Sequence, residues 1–246
     1  MRHAIVVIAL LALLLLGGCT AQAVGTGASV PASYAPRAEV LLQDSLFKED
    51  TAVISNEDMA RVLDSEIQLP ERGKLAVVRF GSMPYWWGWS EDFVRMNQEI
   101  DKSFLDRLAT SSRVKQVAYL PSLVTPKQMS LPYLRQAAGR FQAHLLLIYR
   151  TTNRSYQRSK VFAADETKAY CTVEAVLLDT RTGIVPFSTV ISQEYSAKQG
   201  DKDTNFSETI AKANQQAIGK AWMTLADEAV NYLNGLPANA TTRPTQ

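Results

Sequence analysis

Val173-Glu174-Ala175-Val176-Leu177-Leu178-Asp179-Thr180-Arg181-Thr182-Gly183 decides the architecture. Residues 168–178 alternate apolar with polar and then run apolar, as a strand does. Asp179 to Gly183 supplies turn chemistry, with a glycine for a positive φ, and residues 184–195 return as a second strand. The stretch therefore reads as a β-hairpin.

Working upstream, His144-Leu145-Leu146-Leu147-Ile148-Tyr149 is a buried strand, fed by a helix over 131–141 that tolerates Pro132 in its first turn. Between that strand and the hairpin, residues 154–165 are polar and are expected to form a loop or the tip of an edge hairpin. Lys74-Leu75-Ala76-Val77-Val78-Arg79-Phe80, bounded by Gly73 and Gly81, is another buried strand. Residues 90–110 place Phe93, Met96, Ile100, Phe104, Leu105 and Leu108 at the three-and-four spacing of an amphipathic helix. Residues 114–120 form a short strand stopped by Pro121. Ser55 caps a first helix over 56–63, with Asp58 in capping-box position and Ile54 placed to staple onto Met59. Downstream, residues 206–233 carry Ile210, Ala213, Ala217, Ala221, Trp222, Leu225, Ala229 and Leu233 on one face, and Gly235 and Pro237 mark the end of that helix. This order predicts an α/β (α+β) fold: a single mixed β-sheet of about five strands with helices packed on it, ending in a hairpin and a long C-terminal helix.

The chain of 246 residues opens on Met1-Arg2-His3, an uncharged apolar run over 4–16, and Leu16-Gly17-Gly18-Cys19. A basic start, an apolar core and a small-residue cleavage site make a secretory signal over 1–18. As a helix the run would span about 20 Å, short of the roughly 30 Å hydrocarbon core, so it is not expected to stay as a membrane span. Residues 19–38, rich in Ala, Gly, Thr, Ser and Pro, read as a flexible tether. Residues 39–236 then form a single periplasmic domain, and 237–246 a disordered tail. With 26 Lys+Arg against 24 Asp+Glu, the net charge of +2 offers no footprint for nucleic acid.

Leu16-Gly17-Gly18-Cys19 resembles a bacterial lipobox. The resemblance implies that the Cys19 thiol receives a diacylglyceryl group before the cut just upstream of it. Acyl chains of the palmitate kind would then hold the mature chain to a bilayer, each buried CH₂ contributing about 0.8 kcal/mol. Thr20 is not the aspartate that favours retention at the inner membrane in such lipoproteins, which points to the outer membrane with the domain facing the periplasm. Once Cys19 is acylated, Cys171 is the one thiol left, so neither an internal disulfide nor a thiolate zinc site is expected.

The strand 75–80, the helix running into Ala143-His144-Leu145-Leu146, the hairpin 173–183 and the closing helix together resemble a periplasmic lipoprotein superfamily. It contains the curli secretion channel lipoprotein, the lipoprotein activators of penicillin-binding proteins and the N-terminal domain of the Tol–Pal translocation protein TolB. Its members form pores, activate cell-wall enzymes or brace envelope machines, generally without an active site. The resemblance implies a non-enzymatic, cofactor-free scaffold, assembly factor or activator that binds another envelope protein. An oligomeric subunit of an export conduit and a cell-wall or lipid hydrolase are the alternatives. Membrane-barrel strands need about 9–11 residues each, and the spacers 82–89 and 152–167 are too short or too charged to supply two such hairpins.

The composition that stands out is Met83-Pro84-Tyr85-Trp86-Trp87-Gly88-Trp89, which holds three of the four tryptophans. Between a buried strand and an amphipathic helix it should emerge at one edge of the sheet. Tyr85, Trp86, Trp87 and Trp89 are the candidate partner- or membrane-binding residues, because such rings dominate interface hot spots and favour the headgroup level. Rings that fold back onto the core are the competing reading. A second candidate is the basic loop 152–160 with Arg150, Arg154, Arg158 and Lys160, suited to anionic headgroups, an acidic partner or plain edge protection. His144, the one histidine past the signal, reads as structural, Cys171 as a small buried hydrophobe, and Glu91 with Asp92 as favourable charges at a helix start. Gly81 and Gly88 make no phosphate loop.

Overall fold

A computed structural model describes residues 45–46, 54–67, 69–81, 91–160 and 163–236. Their order is α1 (Asn56–Leu63), β1 (Gly73–Arg79), α2 (Glu91–Leu108), β2 (Val114–Tyr119), α3 (Leu131–Arg140), β3 (Leu145–Arg158), β4 (Glu166–Asp179), β5 (Phe187–Lys198) and α4 (Phe206–Gly235). The five strands form one mixed sheet in the order β2-β1-β3-β4-β5. β1 runs parallel to both β2 and β3, whereas β3–β4 and β4–β5 are antiparallel. The expected mixed sheet with packed helices, closing hairpin and long C-terminal helix is what forms. Among the described residues no helix is long and apolar enough to cross a membrane.

Side chains alternate between two layers. Leu75, Val77, Leu145, Leu147, Tyr149, Val173 and Leu177 point to the face covered by α2 and α4, where Phe104, Trp222, Leu225 and Leu233 complete the larger core. Ala76, Val78, Leu146, Ile148 and Leu178 point the other way and meet Leu134, Ala137 and Ala138 of α3. Burial on both faces is why the first half of the sheet reads as unbroken apolar runs. Each leucine so buried contributes about 1.5–3 kcal/mol. Alanines at 213, 217, 221 and 229 of α4, all at most 1 % exposed, let the helix lie close to the strands.

The hairpin turn is built on Asp179, which is buried. Its carboxylate accepts the backbone N–H groups of Arg181 (3.2 Å) and Thr182 (3.3 Å), while the Gly183 N–H donates to the Asp179 carbonyl at 2.8 Å. Gly183 takes φ +82°, the left-handed region the turn requires. Arg135 of α3 clamps the same turn, with its Nε donating to the Thr180 carbonyl at 2.8 Å. At the other end of the chain, Ser55 caps α1 as expected, its Oγ accepting the Asp58 N–H at 3.1 Å. Ile54 and Met59, placed to staple that helix, are each 44 % exposed, and α1 buries no residue.

The bounds of β3 and β5 differ from expectation. Residues 154–158 are not a loop: β3 and β4 pair continuously from Leu145↔Asp179 to Arg158↔Glu166. The strand continues because its polar half is held in register by β4, so pairing survives where apolar content ends. β5 begins at Phe187 rather than 184, behind Pro186, which has no N–H to give a ladder.

Candidate functional site

Arg79, Tyr119 and Tyr149 stand at or near the carboxyl ends of the parallel segment, the edge where open α/β sheets place their ligand crevices. Asp101 of α2 and Trp222 of α4 close the group. Arg79 Nε donates to Tyr149 Oη at 3.1 Å, and its Nη2 donates to Asp101 Oδ1 at 3.1 Å. Tyr119 Oη donates to the same carboxylate oxygen at 2.8 Å and sits 3.2 Å from Tyr149 Oη. The guanidinium lies 4.6 Å from the Trp222 ring centre, close enough for a cation–π contact. Trp222 Nε1 in turn donates to Thr151 Oγ1 at 3.1 Å. Burial pushes the Tyr119 phenol well above its ordinary range and raises that of Tyr149, so both act as neutral hydrogen-bonding groups. Beside them opens a cavity of about 460 Å³ with Arg79, Asp101, Ser122 and Thr125 among its walls. The cluster's hydrogen bonds largely run among its own members, an arrangement that sets a rigid floor more than it activates a nucleophile. Among the described residues no group of three His, Cys, Asp or Glu is placed to hold a metal ion.

A larger surface lies on the α3 side of the sheet. α3 is ten residues long and covers β1, the start of β3 and the end of β4. In β3 beyond residue 150, in β4 before Val176 and along β5, no helix among the described residues covers the even-numbered side chains. Tyr156 (49 % exposed) and Tyr170 (37 %) meet edge to face there, ring centres 5.7 Å apart. Lys168 Nζ stands 5.2 Å over the Tyr170 ring, within cation–π reach, and pairs with Glu194 at 2.7 Å. Arg150 pairs with Glu174 at 2.7 Å. Arg154 and Arg158 flank Tyr156, are exposed, and make no ion pair among the described residues. The face carries five basic side chains, at 150, 154, 158, 168 and 198, against three acidic ones at 166, 174 and 194, which makes it net positive.

No protein-family model matches the chain, and no curated protein matches it. Solved structures are similar in outline. The hypothetical protein CT253 from Chlamydia trachomatis aligns at 13% identity and TM-score 0.41, over 66% of this chain and 98% of that one. Lipoprotein GNA1162 from Neisseria meningitidis aligns at 12% identity and TM-score 0.31, over 67% and 99%. The PelC dodecamer from Paraburkholderia phytofirmans aligns at 16% identity and TM-score 0.31, over 64% and 90%. Several such neighbours are lipoproteins by name. At these TM-scores the likeness is loose, and neither the fold nor the role rests on it.

Of the candidates read from sequence, Cys19, Tyr85, Trp86, Trp87 and Trp89 lie outside the described residues. β1 ends at Arg79, and Gly81, two residues on, has φ +92°. The basic run is a strand rather than a loop, and its charges at 150, 154 and 158 share one face. His144 is exposed, and its Nδ1 accepts the Lys74 N–H at 3.2 Å, an edge contact between strands. Cys171 is fully buried, and burial alone pushes its thiol up to about 12. The Arg79–Asp101–Tyr119–Tyr149 cluster went unforeseen. Its signal was an Arg or Tyr near the close of each of the three parallel runs, at 79, 119 and 149.

Proposed function

We propose that the chain is an envelope lipoprotein, acylated on Cys19 and held at the outer membrane with its domain in the periplasm. Its role on this reading is that of a non-enzymatic scaffold, assembly factor or activator, allied to the periplasmic lipoprotein group that the sequence resembles. The observation that carries it is the net-positive face of β3, β4 and β5, which no helix among the described residues covers and where Tyr156 and Tyr170 stand between Arg154, Arg158 and Lys168. Exposed tyrosines with flanking arginines are what a protein interface uses as anchors, and the charge balance suits an acidic surface on another envelope protein. Tyr85, Trp86, Trp87 and Trp89 belong to the same reading as further contacts, whether to that partner or to the headgroup layer.

Two experiments bear on it. Reversing Arg154 and Arg158 to Glu should leave the unfolding temperature nearly unchanged, because both side chains are exposed, and should release a partner that co-purifies with the detergent-extracted chain. Retention of that partner by the reversed variant counts against the face. Cys19→Ala should move the chain out of the membrane fraction, and continued membrane residence would refute the anchor.

A further inference from the structure

The two outer strands of the sheet are unlike. β2 is six residues long, shifts register where it meets β1 at Gly73 and Lys74, and exposes Lys115 and Gln116. Shortness, irregularity and a lysine are the devices by which a sheet edge avoids pairing with another chain. β5 lacks them. It is twelve residues long, stays in unbroken register with β4, and has its one proline just before it, at 186. Its charged residues lean inward along the sheet: Glu194 pairs with Lys168 at 2.7 Å and Lys198 with Glu166 at 3.4 Å.

The backbone of that edge is aimed outward. The Gln199 N–H donates to the Asp165 carbonyl at 2.9 Å, in step with the β4–β5 register. Alternate residues of an antiparallel strand share a partner, so the odd-numbered residues of β5 bond to β4. The even-numbered ones, from Ser188 to Lys198, turn their N–H and C=O groups away from the sheet. Among the described residues no strand meets them. α4 holds the edge straight: Tyr232 stacks on Phe187 with ring centres 5.1 Å apart, Thr189 Oγ1 donates to Glu228 at 2.6 Å, Gln193 Nε2 donates to Thr224 at 3.3 Å, and Lys220 stands 5.0 Å over Tyr195.

The strand is also complementary to itself. Laid antiparallel to a copy with Ser192 on a two-fold axis, Ser192 meets Ser192, Val190 meets Glu194, and Ser188 meets Ser196 on the open face. On the α4 side, Ile191 meets Gln193, Thr189 meets Tyr195, and Phe187 meets Ala197. No like charges are opposed, and each ring faces a small side chain.

We propose that β5 pairs with β5 of a second copy of this chain, joining two sheets into one across a two-fold axis. Such a contact is satisfied by one partner and leaves only the protected β2 edges outside, so assembly stops at a dimer. The pairing runs through the β5 backbone and leaves Arg154, Tyr156, Arg158 and Tyr170 untouched, so it does not rest on the function proposed above.

The test is sedimentation equilibrium of the full chain in detergent, where a dimer is expected. Ser192→Pro removes an N–H that β4 does not use, so it should keep the fold by circular dichroism and sediment as a monomer. Ser192→Cys should form an intermolecular disulfide on oxidation above the background of the unsubstituted chain, and Gln116→Cys on β2 should not. This second arm stands even if Ser192→Pro fails to fold. A monomeric parent chain, a dimer untouched by Ser192→Pro, or cross-linking through position 116 in place of 192 would overturn the proposal.

Discussion

Asp101 shows how single residues set the carboxyl edge. One of its oxygens takes both the Arg79 guanidinium and the Tyr119 hydroxyl, so it fixes two strand ends against α2. Its side chain is 40 % exposed, so water screens the pair. Asp101→Asn should therefore cost on the order of 1 kcal/mol, read as a lower urea midpoint with an unchanged slope. Cys171 gives a second prediction at this scale. With its thiol pushed up to about 12 by burial, the thiolate is scarce at pH 8. A maleimide should leave Cys171 unmodified in the native chain and label it once urea unfolds the domain. Rapid labelling of the native form would mean that the core under α4 opens.

Between residue and domain, the connection from β5 into α4 is tied by Asp203. Its carboxylate pairs with Lys212 at 2.7 Å and accepts the Gly200 N–H at 2.9 Å and the Thr209 hydroxyl at 2.8 Å. The Lys212 hydrogen bond, then those from Gly200 and Thr209, pull this carboxylate from 3.8 down to about 2. A depressed value means that the folded state favours the ionised form. The stabilisation is complete above the ordinary carboxylate range and fades as pH falls toward 2. Asp203→Asn should lower the melting temperature at pH 5 and above, and the gap from the unsubstituted chain should close as the pH drops toward 2. Element boundaries were legible wherever caps or breakers spoke for themselves: Ser55, Pro121, Gly183 and Gly235 mark ends that the structure keeps. The distal half of β3 was not, because Thr152 to Arg158 is polar on both faces and its strand character comes from pairing with β4. Long-range pairing of this kind leaves little trace in local composition.

For the whole molecule, coverage decides where function can sit. A thirty-residue α4 and α2 seal one face of the sheet, whereas the ten-residue α3 seals only the start of the other. The remainder, uncovered among the described residues, is where Arg154, Tyr156, Arg158, Lys168 and Tyr170 collect. Sequence order could suggest the basic run but not its aromatic neighbours, since Tyr156 and Tyr170 come together only through the β3–β4 register. The Arg79 cluster was hidden for the same reason, its members lying on three strands and two helices. Ser188, Ser192 and Ser196 became informative only once β5 was known to be an outer strand.

The most direct measurement is photo-cross-linking in intact cells from a photoreactive side chain at position 170, with and without Arg154→Glu and Arg158→Glu. An adduct of defined mass that joins the chain to a second envelope protein, and that fades on charge reversal, is the predicted result. No adduct, or one indifferent to the reversal, would contradict a binding role for this face.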